Sequence, residues 1–234
     1  MQLKTIITAF ILSALHIFSS TAQESLTRNL DEFYSLEVIG NIRMEIYPSD
    51  QSRADIILEN TTPDKIITDI SNFALSIRLR TDTPKDARVT VKLYFKNLHK
   101  ISVSANAYIV SDTPLTGKDV EFIAKSGGRI DLELALESLD ASVTQGGTIS
   151  FTGSVRKQIV NVSTGGTYSA YELQASDTYV KAASGGTAKV TAEKIIDATA
   201  NFKGFIGYKG NPASTYIKTN LGGEIASFSE IPVE

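Results

Sequence analysis

The chain of 234 residues predicts an all-β fold, a β-solenoid of the parallel β-helix kind with a strand-rich N-terminal cap region. The first observation behind this is a Gly-Gly pair that recurs as Gly127-Gly128, Gly146-Gly147, Gly165-Gly166, Gly185-Gly186 and Gly222-Gly223. The second glycines of the first four pairs lie 19, 19 and 20 residues apart, and a gap of 37 then leaves room for a degenerate copy at Lys203-Gly204. The second observation is apolar alternation around each pair: Ile130 and Leu132, Ile149 and Phe151, Tyr168 and Ala170, Ala188 and Val190 follow at the same offsets. Upstream, Phe122 and Ala124, Ala141 and Val143, and Val160 and Val162 repeat the pattern. A period of two on both sides of a glycine corner means strand, turn, strand. Repetition at about 20 residues means coils that bury their apolar faces only against one another.

From the start of the chain, Lys4, the apolar run Thr5 to Phe18 and the small residues Ser20-Thr21-Ala22 read as a secretory signal peptide over residues 1–22. The apolar run is shorter than the ~20 residues a membrane-spanning helix needs, so no transmembrane segment is expected after cleavage. Residues 23–100 lack the glycine period but are rich in strands, with Leu36, Val38, Ile42, Met44 and Ile46 alternating around Gly40-Asn41. Turn clusters at Thr61-Thr62-Pro63-Asp64 and Asp82-Thr83-Pro84-Lys85 separate the later strands. One short helix is expected around Pro63 to Ser71. This region is expected to cap the solenoid, because a bare sheet edge templates aggregation. Residues 101–234 are expected to form six or seven coils of 19–20 residues, right-handed like nearly all parallel crossovers. The second glycines, Gly147, Gly166 and Gly186, are expected at φ > 0, and Gly210, which is off the period, is expected to tolerate substitution.

Composition excludes several functions. Without residues 1–22 the chain keeps 22 basic and 26 acidic residues, a net of −4, with no basic stripe for nucleic acid. There is no cysteine, hence neither a disulfide nor a lipid-attachment residue, and His99 is the only histidine after residue 22. No metal ligand set and no cofactor are expected. A carbohydrate-active enzyme on this scaffold needs two carboxylates across a cleft, which in a solenoid means acids stacked in one column. Asp131 and Glu133 face outward, but their counterparts are Ser150 and Thr152, then Ser169 and Tyr171. Asp140, Asp177 and Asp197 fall near turns, where Asp is ordinary. No catalytic residues are assigned.

Hydroxyls are the remaining pattern. Thr148, Thr167 and Thr187 each follow the double glycine, and Ser126, Thr164 and Ser184 precede it. The plain reading is strand propensity and turn closure. The functional reading is a flat, regular surface that binds a glycan or envelope polymer, with Thr148, Thr167 and Thr187 as its ligand-binding residues. Tyr171 is a candidate outward aromatic, whereas Tyr168 and Tyr208 fall in inward columns.

The stretch Val38-Ile39-Gly40-Asn41-Ile42-Arg43-Met44-Glu45-Ile46 resembles the opening motif of the head GIN domain family of putative auto-transporter adhesins, exported bacterial proteins common in Bacteroidetes. Asn72 to Leu79 is similar to that family's second hairpin, and the repeats from about residue 100 to its β-helical half. The resemblance implies a secreted, strand-rich protein without assigned catalytic residues. Together these readings give a non-enzymatic exported protein of a Gram-negative cell envelope, periplasmic or at the surface, with an adhesin-like or structural role. The alternative is a carbohydrate-active enzyme on a β-helix scaffold.

Overall fold

The computed structural model describes residues 24–228, so the segment read as a signal peptide lies outside it. The described chain begins with β1 (Glu24–Asn29), β2 (Ser35–Ile39), β3 (Ile42–Pro48) and β4 (Arg53–Glu59). A single 3-10 turn at Pro63–Lys65 leads into β5 (Ile66–Ser71), β6 (Ala74–Leu79), β7 (Arg88–Phe95), β8 (Lys100–Ser104) and β9 (Tyr108–Val110). The helix expected over 63–71 is thus limited to its first three residues. Beyond them Ile66-Ile67-Thr68 is β-branched, and β5 pairs antiparallel with β6 through a tight turn at Asn72-Phe73.

The repeats supply β10 (Leu115–Ala124), β11 (Arg129–Val143), β12 (Thr148–Val162), β13 (Thr167–Ala182), β14 (Thr187–Thr191), β15 (Ile195–Asn201), β16 (Phe205–Lys209), β17 (Ser214–Asn220) and β18 (Glu224–Phe228). Each level has a leading strand before the glycine corner and a trailing strand after it, and each pairs in parallel with its equivalents above and below. From β8 onward this makes about seven turns of solenoid. In β11, Glu137 and Ser138 both face away from the core while Leu136 and Leu139 face it. That break in alternation bends one long strand from the trailing ladder into the next leading one.

The parallel ladder does not stop at residue 100. β2 pairs with both β6 and β8, and β3 with both β7 and β9, so Leu36 sits between Leu75 and Ile101, and Met44 between Val91 and Ile109. Residues 35–48 therefore occupy a level flanked on both sides by strands made later in the chain. At the outer end the pairing turns antiparallel: β5 lies on β6, β4 on β7, and β1 on β4. Arg28 of β1 ties these strands together, donating to the Thr68 hydroxyl at 2.5 Å and to the Ile66 carbonyl at 3.2 Å.

The corners correct the glycine expectation. Each has two successive residues at positive φ, as in Ser126 (51°) and Gly127 (75°) or Thr164 (50°) and Gly165 (70°). Each is closed by the second glycine's N–H donating to the carbonyl three residues back, Gly128 to Lys125 and Gly166 to Ser163, both at 2.9 Å. That is a type I′ turn. The left-handed glycine is the first of each pair; the second is there because backbone passes beside it. A Cβ on Gly147 would stand 2.3 Å from the Ala124 carbonyl oxygen, and one on Gly166 2.5 Å from that of Val143. Gly210 is no freer: its φ is +101°, and a Cβ there would stand 2.1 Å from the Ala192 oxygen.

The interior is a column of apolar side chains. Phe122 meets Phe151 edge-on at 4.6 Å between ring centroids, and Phe151 meets Tyr168 at 5.9 Å. Val143 stacks on Val162, both buried. Val162→Ala is expected to cost about 1–3 kcal/mol, mostly as lost apolar burial and a small cavity. Chemical-denaturation midpoints check this, and an unmoved midpoint would contradict the stack.

Candidate functional site

Thr148, Thr167 and Thr187 are brought into one column: Thr148 pairs with Thr167, and Thr167 with Thr187. All three are half-buried, on the outer face of the trailing ladder at its first position after the corner. Arg129 precedes them in the column and Phe205 follows. The next outward column is Asp131, Ser150, Ser169 and Lys189. Residues in a column lie ~4.8 Å apart, so the hydroxyls form a short, regular strip. Ser126, Thr164 and Ser184 have a different setting, as the first left-handed residues of the corner turns. Their position is explained by turn geometry.

Beside the threonine strip the regular coil breaks. Between Ser150 and Thr152 the pairing with β13 shifts by one residue, so Tyr171 is the extra residue of the 20-residue coil. Such a bulge re-aims its side chain. The Tyr171 ring leans edge-on to Phe228 at 6.1 Å, with the Lys209 ammonium 5.2 Å and the Lys189 ammonium 6.0 Å from its centroid. Its hydroxyl lies over Gly207, where any Cβ would collide with it. Partial burial raises its pKa and Lys209 offsets part of that. A cleft of about 430 Å³ opens here, lined by Tyr171, Glu172, Gln174, Thr191, Glu193 and Asn211 among others. Lys209 donates to Glu172 at 3.2 Å across it. An aromatic ring surrounded by amides, carboxylates and an amine is suited to a polyhydroxylated ligand.

The acids sort differently from the sequence reading. Asp131 is held by its own neighbours, accepting from Arg129 and from the Tyr108 hydroxyl at 3.0 Å, so it is an ion-pair partner on the strand surface. Glu121 and Asp140, however, do stack, as direct partners on β10 and β11. The sequence carried that signal, since they are 19 residues apart, one period of the repeat. Partial desolvation, then the Glu121 charge, pushes the Asp140 carboxyl above the ordinary range. Glu121 is paired with Lys100 at 2.9 Å, and both are well exposed. The hollow around them, with His99, Asp119 and Ser138, is shallow and has no long loop over it. Among the described residues no three His, Cys, Asp or Glu side chains converge to hold a metal ion.

A family model described as "Putative auto-transporter adhesin, head GIN domain" matches residues 32–212. The chain belongs to this family. The matched span of this head GIN domain begins just before β2 and ends just before β17. Solved structures share the fold. A protein from Bacteroides fragilis NCTC 9343 described as a putative adhesin is 19% identical, with a TM-score of 0.77 over 89% of this chain and 98% of that one. One from Parabacteroides distasonis ATCC 8503, described as a putative lipid binding protein, is 20% identical, with a TM-score of 0.70 over 89% and 98%. A third, a putative adhesin from Parabacteroides merdae ATCC 43184, is 19% identical, with a TM-score of 0.68 over 89% and 97%. At such identity the likeness concerns the fold. Among curated proteins there is no match. No helix of the described residues is long and apolar enough to cross a membrane.

Proposed function

We propose that this head GIN domain is a non-enzymatic binding protein of a Gram-negative cell envelope, exported to the periplasm or the cell surface, that grips a glycan or envelope polymer on the outer face of its trailing ladder. The observation that carries this reading is the in-register strip Thr148, Thr167 and Thr187 running beside the Tyr171 cleft. The strip offers hydroxyls at a constant repeat, matched in kind to a repeating ligand, and Tyr171 offers an aromatic anchor at its edge. The adhesin descriptions of the family and of its structural relatives support binding as the role. The lipid-binding description of one relative finds less support, because the threonine column and the adjoining column of Asp131, Ser150, Ser169 and Lys189 make this face polar.

The test is a glycan-array and cell-wall pull-down with wild type and the triple variant Thr148→Val, Thr167→Val, Thr187→Val. Valine keeps shape and strand propensity while deleting the hydroxyls, so the fold should survive and binding should fall about tenfold or more, at roughly 0.5–1.5 kcal/mol per lost bond. Unchanged binding would move the site elsewhere. The stacked Glu121–Asp140 pair favours the rival reading, a carbohydrate-active enzyme. A turnover assay on the same polymers decides it: hydrolysis by wild type that Glu121→Gln or Asp140→Asn abolishes would replace the binding role with a catalytic one.

A further inference from the structure

The two ends of the solenoid are finished differently. At one, antiparallel β1, β4 and β5 cover the parallel ladder. At the other, β17 pairs only with β15 and β18 only with β16 among the described residues. Of six large hydrophobic side chains exposed on the described surface, four lie on this last level: Tyr216, Ile217, Leu221 and Phe228. A fifth, Phe202, sits one corner above. An open edge with apolar side chains is a template for another strand.

We propose that this edge is the interface of an end-to-end homodimer in which β17 pairs antiparallel with its own copy about a two-fold axis at Ile217. The sequence of β17, Ser214-Thr215-Tyr216-Ile217-Lys218-Thr219-Asn220, is self-complementary about that centre. Antiparallel pairing there sets Ile217 opposite Ile217, Thr215 opposite Thr219, and Tyr216 opposite Lys218 of the copy. The first two pairs face inward, because Thr215, Ile217 and Thr219 continue the buried column of Ile196, Ala198 and Ala200. They extend the core from one copy into the next. The third faces outward and puts an ammonium against a phenol ring, a favourable cross-strand pair. An edge built to refuse pairing carries charge at an inward position; here the one charge of β17, Lys218, points out. A strand meeting itself in this way gives a closed, isologous contact that ends at two copies.

The experiment is analytical ultracentrifugation of the chain from residue 23 on, with Ile217→Lys and Ile217→Cys variants. Wild type is expected to sediment as a dimer at tens of micromolar. Ile217→Lys, which sets two ammonium groups against each other at the axis, is expected to sediment as a monomer with an unchanged strand-type circular dichroism spectrum. Directly opposed residues in an antiparallel pair have Cα atoms about 4.5–5.5 Å apart, within disulfide reach. The chain has no cysteine, so oxidised Ile217→Cys should form a covalent dimer and Phe73→Cys, exposed at the corner between β5 and β6, should not. A monomeric wild type, or a dimer indifferent to Ile217→Lys, overturns the proposal. A chain ending at Phe228 that dimerises where the full one stays monomeric also overturns it, and makes residues 229–234 the occupant of the edge.

Discussion

Gly147→Ala is expected to destabilise the protein by roughly 3 kcal/mol or more, at the upper end of what over-packing costs, while Gly146→Asn next to it costs about 1 kcal/mol or less. The two glycines of one corner do different work. Gly146 sits at φ +70° with nothing within 4 Å of a Cβ, so only the left-handed backbone resists a side chain. Asn tolerates that region better than other residues, and Gln145 beside it already adopts φ 51°. Gly147 has no such latitude. Its Cβ would stand 2.3 Å from the Ala124 oxygen and 2.6 Å from the Ala124 carbonyl carbon, so the ladder itself must shift. Thr148 and Thr144 both bond at this corner, Thr148 N–H to the Gly128 carbonyl and Thr144 N–H to that of Ala124. A shift there strips bonds from two levels. Gly166→Ala and Gly186→Ala should follow Gly147, and Gly165→Asn and Gly185→Asn should follow Gly146. Urea midpoints of the paired variants give the comparison; equal losses within a pair would refute the division of labour.

The same corner shows why part of the molecule was legible in the sequence. A period of 19–20 with alternation on both sides leaves only one way to stack Ile130, Ile149, Tyr168 and Ala188, and that is the register found. Which glycine turns left was not legible, because Gly-Gly satisfies either assignment and only the passing Ala124 carbonyl decides it. The level formed by β2 and β3 was hidden for a related reason. Its alternation is plain, but its partners are 39 and 65 positions on, at Leu75 and Ile101, and no spacing announces them. At the candidate site the threonine column could be read directly from the period. The Tyr171 cleft could not, since it arises where one coil gains a residue and the ladder slips. The Glu121–Asp140 stack was readable at one period's spacing, but Asp140 reads from the sequence as a turn residue, whereas it lies inside β11, where the long strand bends into the leading ladder.

Gln158→Ala is expected to be among the most destabilising single changes in the core, at roughly 3–5 kcal/mol, because it empties a volume and orphans a buried donor at once. Gln158 is fully buried in the leading ladder, between Leu139 and Thr178. After Thr191 the strand β14 ends, and the Thr191 carbonyl is left to side chains, which must satisfy it. Thr178 donates to it at 2.7 Å and Gln158 at 3.2 Å; Gln158 also donates to the Thr178 hydroxyl at 2.9 Å and accepts from the Tyr168 hydroxyl at 2.8 Å. Every member has a partner, so the network fixes the coil that carries the extra residue. Tyr168→Phe alone leaves the Gln158 oxygen without its donor and should cost about 1–3 kcal/mol. Gln158→Leu combined with Tyr168→Phe removes donor and acceptor together, and Thr178 still serves Thr191. The double variant should therefore lose less than Gln158→Leu and Tyr168→Phe summed, a coupling that a double-mutant cycle on those two substitutions reads directly. Burial also pushes the Tyr168 phenol far above its ordinary value of 10.0. Since the folded pKa is the higher one, this contribution is fully present below about pH 10 and falls away as alkali ionises the unfolded chain. Stability measured from pH 8 to pH 11 should decline less steeply in Tyr168→Phe than in wild type. Parallel declines would mean that the Tyr168 hydroxyl is reached by solvent, and that the coil at Tyr171 is held by something other than this network.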